Sequence, residues 1–219
     1  MTTAPILPNA ITGLVLAGGR GQRMGGRDKG LQPFAGQPLA AHVIARLRPQ
    51  VGALLISANR NRDAYAALGA DVVSDATQDF AGPLAGMLAG LRAACTEYVL
   101  TAPCDSPYLP DDLGERLCAA LSDASSHAPH VPHAPYASHA PVTRPLAAYA
   151  ATAQGPHPVF ALLHRSLADD LEATLAAGEH RVRAWLARHK AVQVHFGDER
   201  PFYNVNTLDD LPTDSPRAP

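Results

Sequence analysis

A chain of 219 residues with 47% hydrophobic composition can bury one sizeable core, and a single large domain over 1–219 is the simplest expectation. Its 18 basic and 20 acidic residues leave a net charge of −2, which argues against a nucleic-acid partner held by a global positive field. No apolar run approaches a membrane span, and MTTAPILPNAIT lacks the parts of a signal peptide. Three cysteines without C-x-x-C spacing fit a reducing cytoplasm.

Residues 1–10 read as a proline-containing arm. The apolar run over 11–17 ends on Gly18-Gly19, as a buried parallel strand entering a tight loop does. Glycines then recur as far as Gly30, interleaved with Arg20, Arg23, Arg27 and Lys29. Glycine lets backbone amides approach a ligand and form a concave anion site. Two like charges about 4 Å apart repel by roughly 4 kcal/mol at an effective dielectric of about 20, so gathered cations call for a polyanion among them. The loop lacks the Gly-Lys-Ser/Thr of a Walker pattern, and the G-x-G-x-x-G spacing fails after Gly19 and Gly21. A solvated basic turn is the plain alternative.

Pro38 opens a helix with Leu39, Val43 and Leu47 on one face. Residues 53–58 form a second buried strand with Ser57, Asn59 and Arg60 at its end. A short helix over 63–68 leads to a third strand, 70–74, closed by Asp75. Gly82-Pro83 starts a helix with Leu84, Met87, Leu88 and Leu91 on one face. The fourth strand, 97–102, ends in Pro103-Cys104-Asp105-Ser106-Pro107, and Asp111-Asp112 begin another helix. This alternation predicts an α/β fold: a Rossmann-like, mostly parallel sheet with helices on both faces. Ligands in such sheets sit beyond the carboxyl ends of the strands. The glycine loop, Ser57, Asp75 and Asp105 all fall there.

Residues 122–145 change character, being rich in Ala, Pro, Ser and His. The stretch carries His127, His130, His133 and His139. It reads as a disordered insert, with a histidine metal tract as the functional alternative. Strands over 146–152 and 157–163 follow, split by a turn at Gly155-Pro156. Ser166 begins a helix with Leu167, Leu171 and Leu175, which Gly178 ends. Another helix over 179–187 turns Val182, Trp185 and Leu186 inward. Residues 191–196 alternate like a strand. FYNVNT (202–207) precedes an acidic helix start at Asp209-Asp210, and 213–219 is a frayed tail.

A phosphate-rich polyanion at such a loop needs its phosphates held and a divalent ion on them. Glycine-loop amides with Arg23 and Lys29 can serve the first need. Magnesium favours one or two carboxylates plus phosphate oxygens and waters, and Asp105 on its stiff turn is the candidate metal ligand. A turn aspartate capping local backbone is the alternative for Asp105. Cys104 has no base partner and reads as packing.

LAGGRGQRMGGRDKGL resembles the signature of the molybdopterin nucleotidyltransferases, and most closely that of the molybdenum cofactor guanylyltransferases. The double glycine Gly25-Gly26 and the triplet Asp28-Lys29-Gly30 are its more specific parts. Sugar-phosphate nucleotidyltransferases share a looser version. The resemblance implies a nucleotide-diphospho-sugar transferase-like fold. It also implies transfer of GMP from GTP to the terminal phosphate of molybdopterin, with Mg2+ as cofactor and release of pyrophosphate. Handover to molybdoenzymes or their chaperones would follow. Alternatives are a cytidylyltransferase, a sugar-phosphate nucleotidyltransferase, or a nucleotide-binding regulator without catalysis.

By the same resemblance, Leu16, Ala17 and Gly18 match the segment that contacts guanine and ribose, with Gly19 beside them. Lys29 matches the phosphate-binding lysine, Asp75 an aspartate of the GTP site, and Asp105 the magnesium aspartate. Lys29, Asp105 and Arg23 would act on the reacting phosphates. Ser57 replaces the family's nucleotide-contacting asparagine, leaving Asn59 or a water to substitute. DFAGPLAG (79–86) resembles the helix entry beside the nucleotide, and His157-Pro158 a pair facing the acceptor. Arg181-Val182 and FYNVNT resemble later blocks. Asn204 or Asn206 would complete the metal or acceptor site, or form a turn.

Overall fold

In the computed structural model the described residues are 5–18, 28–75, 82–126 and 145–205. Gly19, Arg23, Asn206, the four insert histidines, the Asp209-Asp210 helix start and the tail over 213–219 lie outside them.

In chain order the strands are β1 (Ile11–Leu16), β2 (Pro33–Phe34), β3 (Gln37–Pro38), β4 (Ala53–Ser57), β5 (Asp71–Val73), β6 (Tyr98–Pro103), β7 (Ala147–Thr152), β8 (Gly155–His164) and β9 (Val192–His195). The helices are α1 (Leu39–Leu47), α2 (Arg62–Ala66), α3 (Pro83–Ala93), α4 (Leu113–Ser126), α5 (Ala168–Ala176) and α6 (Val182–Arg188). Seven strands form one sheet in the order β5-β4-β1-β6-β8-β7-β9, and β2 and β3 make a separate hairpin. Pairing is parallel from β5 through β6 and again between β7 and β9, while β8 runs antiparallel to both its neighbours.

The strand order follows from the connections. The chain steps from β1 outward to β4 and β5, then returns through α3 to lay β6 on the other side of β1. The direction of winding thus reverses between β1 and β6. A crevice opens at such a switch point, beyond the carboxyl ends of the two strands.

Two core layers flank the sheet, and the strands feed them alternately, as the two-residue period of a strand requires. Ile11 and Val15 of β1, Leu100 and Ala102 of β6, and Phe160 and Leu162 of β8 join α1 and α4 on one face. Leu14 and Leu16, Val99, and Ala161 and Leu163 join α3, α5 and α6 on the other. In α1, Leu39, Val43, Ile44 and Leu47 are buried in one stripe, each such side chain contributing about 1.5–3 kcal/mol.

Helix α3 lies unusually close to β1. A Cβ added at Gly90 would come within 2.3 Å of Leu14 Cδ2, and one at Gly86 within 2.7 Å of Ser57 Oγ and 2.9 Å of Leu16 Cδ2. Only glycine allows that approach, and it brings the start of α3 to the ends of β1 and β4. Gly82 caps the helix with φ 73° and Pro83 occupies its first turn. No helix among the described residues is long and apolar enough to cross a membrane.

The elements depart from the sequence reading in four places. The β2-β3 hairpin was not expected; it turns on Ala35 and Gly36, both with positive φ, in strands of two residues each. The β7-β8 turn falls at Ala153-Gln154, not at Gly155-Pro156, which belongs to β8. The ladder between β6 and β8 ends at Thr101↔Ala161, so Pro156 faces no β6 partner and its missing N–H costs nothing there. Helix α4 runs through Ser126, into the stretch set apart by composition. Helix α6 starts at Val182, later than 179, because Glu179 folds back to accept from the Arg181 N–H at 2.9 Å.

Candidate active site

The strand ends are flush. The Ala17 N–H donates to Ser57 O at 2.9 Å, the Ala58 N–H to Val73 O at 2.9 Å and the Cys104 N–H to Leu16 O at 3.1 Å. Leu16 is therefore flanked in register by Ser57 and Pro103. Ala17 and Gly18 leave the sheet between the ends of β4 and β6, and no atom of the described residues lies within 4 Å of a Cβ placed on Gly18. Open space at that position suits backbone contact with a ligand.

The returning end of the loop meets the end of β6. Lys29 Nζ donates to Asp105 Oδ2 at 2.6 Å, with side-chain exposures of 23% and 13%. Residues 76 positions apart thereby face each other across the switch point. The other oxygen, Asp105 Oδ1, is buried and has no hydrogen-bond partner among the described residues. An ionised oxygen left so is costly unless something else supplies positive charge or a donor.

The turn bearing Asp105 is held from the far end of the chain. The Val205 N–H donates to Asp105 O at 2.9 Å, and Ser106 Oγ donates to Asn204 Oδ1 at 2.8 Å. Asn204 thus braces the turn. The adjacent Cys104 is buried, and burial together with the Asp105 charge pushes its thiol far above the ordinary range. A thiol so raised is no nucleophile.

Beside this pair, Asp75 is built into a polar corner. Asn59 Nδ2 donates to Asp75 Oδ2 at 2.8 Å, and the Asp75 N–H donates back to Asn59 Oδ1 at 2.9 Å. Ser57 Oγ reaches Asp75 Oδ1 at 3.5 Å. Asn59 is engaged with Asp75 through both ends of its amide. Ser57 is 2% exposed, so its hydroxyl belongs to the corner's floor.

Sequence reasoning passed over two features. Asp28 accepts from the Tyr65 hydroxyl and, at 3.0 Å, from Asn61 Nδ2. Only the Asp28-Lys29-Gly30 triplet hinted at such an anchor. The second is Glu199, whose Oε1 lies 3.2 Å from His157 Nε2. That nitrogen also lies 3.1 Å from Thr152 Oγ1, and the His157 ring stacks on Phe202 with centroids 4.7 Å apart. Glu199 Oε2 is buried without a partner. Because β8 runs antiparallel to β6, its first residues lie toward the carboxyl end of β6. Arg181, by contrast, pairs with Glu179 at the start of α6 and is 80% exposed.

Among the described residues no group of three or more His, Cys, Asp and Glu side chains could hold a metal ion. A divalent ion at Asp105 would thus take one carboxylate from these residues and its other oxygens from phosphates and water. That donor set fits magnesium, and the orphaned Oδ1 is available for it.

Comparisons with known proteins show the family and the fold. Residues 13–193 match the MobA-like NTP transferase domain. A relative from Burkholderia ambifaria, named molybdenum cofactor guanylyltransferase, is 55% identical over 206 residues, 92% of this chain and 94% of its own. In fold the chain is similar to a protein of Aquifex aeolicus VF5, at TM-score 0.65 and 19% identity over 94% of this chain and 96% of that one. It is also similar to molybdopterin-guanine dinucleotide biosynthesis protein A of Archaeoglobus fulgidus, at TM-score 0.62 and 21% identity over 91% and 94%.

Proposed function

The chain belongs to the molybdenum cofactor guanylyltransferases, nucleotidyltransferases of the MobA-like kind, and from that premise we propose that it transfers GMP from GTP to the terminal phosphate of molybdopterin. The observation that carries the reading is the Lys29–Asp105 pair at the β1/β6 switch point, with one Asp105 oxygen buried and unused.

The roles follow from chemistry and place. Amides of Gly18 and Gly19, with Arg23 and Lys29, hold the triphosphate. Backbone at Leu16, Ala17 and Gly18 meets the guanine and ribose, and Asp75, with Ser57 and Asn59 beside it, serves the GTP site. Asp105 would hold Mg2+, which supplies charge neutralisation on the phosphate oxygens. An oxygen of the acceptor's terminal phosphate attacks the α-phosphorus of GTP in line. The bond from that phosphorus to the bridging oxygen breaks, and pyrophosphate leaves with the electron pair. Positioning and charge supply the catalysis, and no covalent nucleophile takes part. His157, braced by Glu199 and Phe202, would face the acceptor, as the family resemblance implies. The whole chain, 1–219, acts as one domain in the cytoplasm. Its product goes to molybdoenzymes or their chaperones.

The test is pyrophosphate release with GTP, CTP, ATP and UTP in turn, with Mg2+ and with or without molybdopterin. Release is expected with GTP and only when the pterin is present. Faster turnover with CTP would make the protein a cytidylyltransferase. Turnover with a sugar 1-phosphate in place of the pterin would make it a sugar-phosphate enzyme.

A further inference from the structure

The loop leaves the reaction centre through Asp28-Lys29-Gly30, and each carbonyl there is claimed. Gln32 Nε2 donates to Asp28 O at 2.9 Å, the Gln32 N–H to Lys29 O at 3.1 Å and the Ala40 N–H to Gly30 O at 2.9 Å. The Asp28 carboxylate is committed too, one oxygen to Tyr65 and the other to Asn61.

Tyr65 comes from α2 and is fully buried. Its hydroxyl lies against the loop backbone, since a Cβ at Gly30 would stand 2.5 Å from Tyr65 Oη and 3.0 Å from Cys104 Sγ. The tyrosine thus fills the space between the loop's exit and the turn that carries Asp105. Lys29 is flanked on one side by the clamped Asp28 and on the other by a glycine that no larger residue could replace without a shift. Its ammonium emerges opposite Asp105.

We propose that Tyr65 is a positioning residue for Lys29: through its bond to Asp28 and its contact with Gly30, it sets the point from which the lysine reaches the phosphates of a nucleoside triphosphate. The proposal rests on the reading of Lys29 as the phosphate-binding cation. Burial, then Cys104 and Asp28, push the phenol far above its ordinary value, which keeps the hydroxyl a donor. A donor is what the Asp28 carboxylate requires.

The experiment is a double-mutant cycle in the full-length protein. Tyr65→Phe, Lys29→Met and the pair together are compared for GTP affinity by calorimetry with Mg2+, for KM of GTP and of the pterin, and for melting temperature. Tyr65→Phe keeps the ring and its packing. It is expected to weaken GTP about tenfold, as loss of a hydrogen bond to a charged group does, while leaving KM for the pterin unchanged. Lys29→Met should weaken GTP further, and adding Tyr65→Phe to it should cost less than about twofold more. Asn61→Ala, which removes the other Asp28 donor and leaves Gly30 undisturbed, should show the same dependence on Lys29. It carries the test if Tyr65→Phe does not fold. Wild-type GTP affinity in Tyr65→Phe, or effects that multiply fully with Lys29→Met, would overturn the proposal. Wild-type affinity in Lys29→Met would instead remove the reading beneath it.

Discussion

Asp105 and Asp170 are both aspartates that gather donors, and they gather them differently. Asp170 Oδ1 accepts from Trp185 Nε1 at 2.9 Å, lies 2.6 Å from His189 Nε2, and has Arg188 Nη2 and Thr174 Oγ1 at 3.5 Å. That cluster ties α5 to α6 on a face of the molecule remote in sequence from the glycine loop. Asp105 has Lys29 on one oxygen and nothing on the other. The Asp170 contacts all fall on Oδ1, and with the side chain 48% exposed its other oxygen is open to water, so the group holds two helices together with no oxygen buried at a loss. A half-satisfied buried carboxylate costs stability as it stands, and the cost is recovered when a ligand arrives.

The largest effect expected from this contrast is on turnover. Asp105→Asn keeps the shape and removes the charge. It should lower kcat by at least about a hundredfold, in line with loss of one electrostatic group in a water-poor site. Its folding stability should move by less than about 1 kcal/mol, because the substitution also removes a buried, unpaired anionic oxygen. Activity assays and thermal melts on the same variant decide it. A large fall in melting temperature with turnover preserved would make Asp105 the structural carboxylate of the two.

Asp170→Ala is expected to do the reverse, leaving kcat/KM for GTP unchanged and lowering stability by about 1–3 kcal/mol through donors left unmet. Its acid limb sharpens the point. Burial alone would raise the Asp170 carboxyl, but hydrogen bonds from His189 and Trp185 outweigh it and hold the group below the usual range. With a depressed folded value, the native state binds fewer protons than the unfolded chain. The stabilisation is then complete above the unfolded value of about 3.9 and is lost as pH falls through the folded one. Asp170 is about half exposed, so screening keeps this loss small. Denaturant titrations between roughly pH 2 and 5 should show a steeper fall for the wild type than for Asp170→Ala.

How far the sequence foretold this contrast depends on range. The strands were legible because apolar runs such as 11–17 and 97–102 end abruptly in glycine or in Pro-Cys-Asp. That placed Lys29 and Asp105 at strand ends but not face to face. Their approach depends on β6 returning to pair with β1, and no local pattern encodes that pairing. Tyr65 was invisible for a similar reason. A tyrosine in a short helix looks like core, and its role appears only where Gly30 leaves room for its hydroxyl. Asp170 carries no signal in the sequence, since its partners Trp185 and His189 come from beyond its own helix. Misplaced boundaries, such as the β7-β8 turn, arose where a proline could sit in a strand because the β6 ladder had already ended beside it, leaving β7 as its neighbour.

Glu199 tests whether the contrast generalises, and there the expected effect is smallest. Like Asp105 it has one oxygen engaged, facing His157, and one buried and unpaired. Unlike Asp105 it faces a residue already held by other means, since Phe202 stacks on the His157 ring and Thr152 Oγ1 lies 3.1 Å from the same nitrogen. Glu199→Gln removes the charge and should leave the ring where it is. The expected change in stability is under about 1 kcal/mol, the net worth of a single hydrogen bond. If the unpaired oxygen serves the acceptor side of the reaction, KM for molybdopterin should rise a few-fold, by about 3–10 times, with KM for GTP unchanged. Steady-state kinetics with each substrate varied in turn separates the two constants. Equal shifts in both, or a change in neither, would restrict to Asp105 the rule that an unpaired buried oxygen marks a ligand.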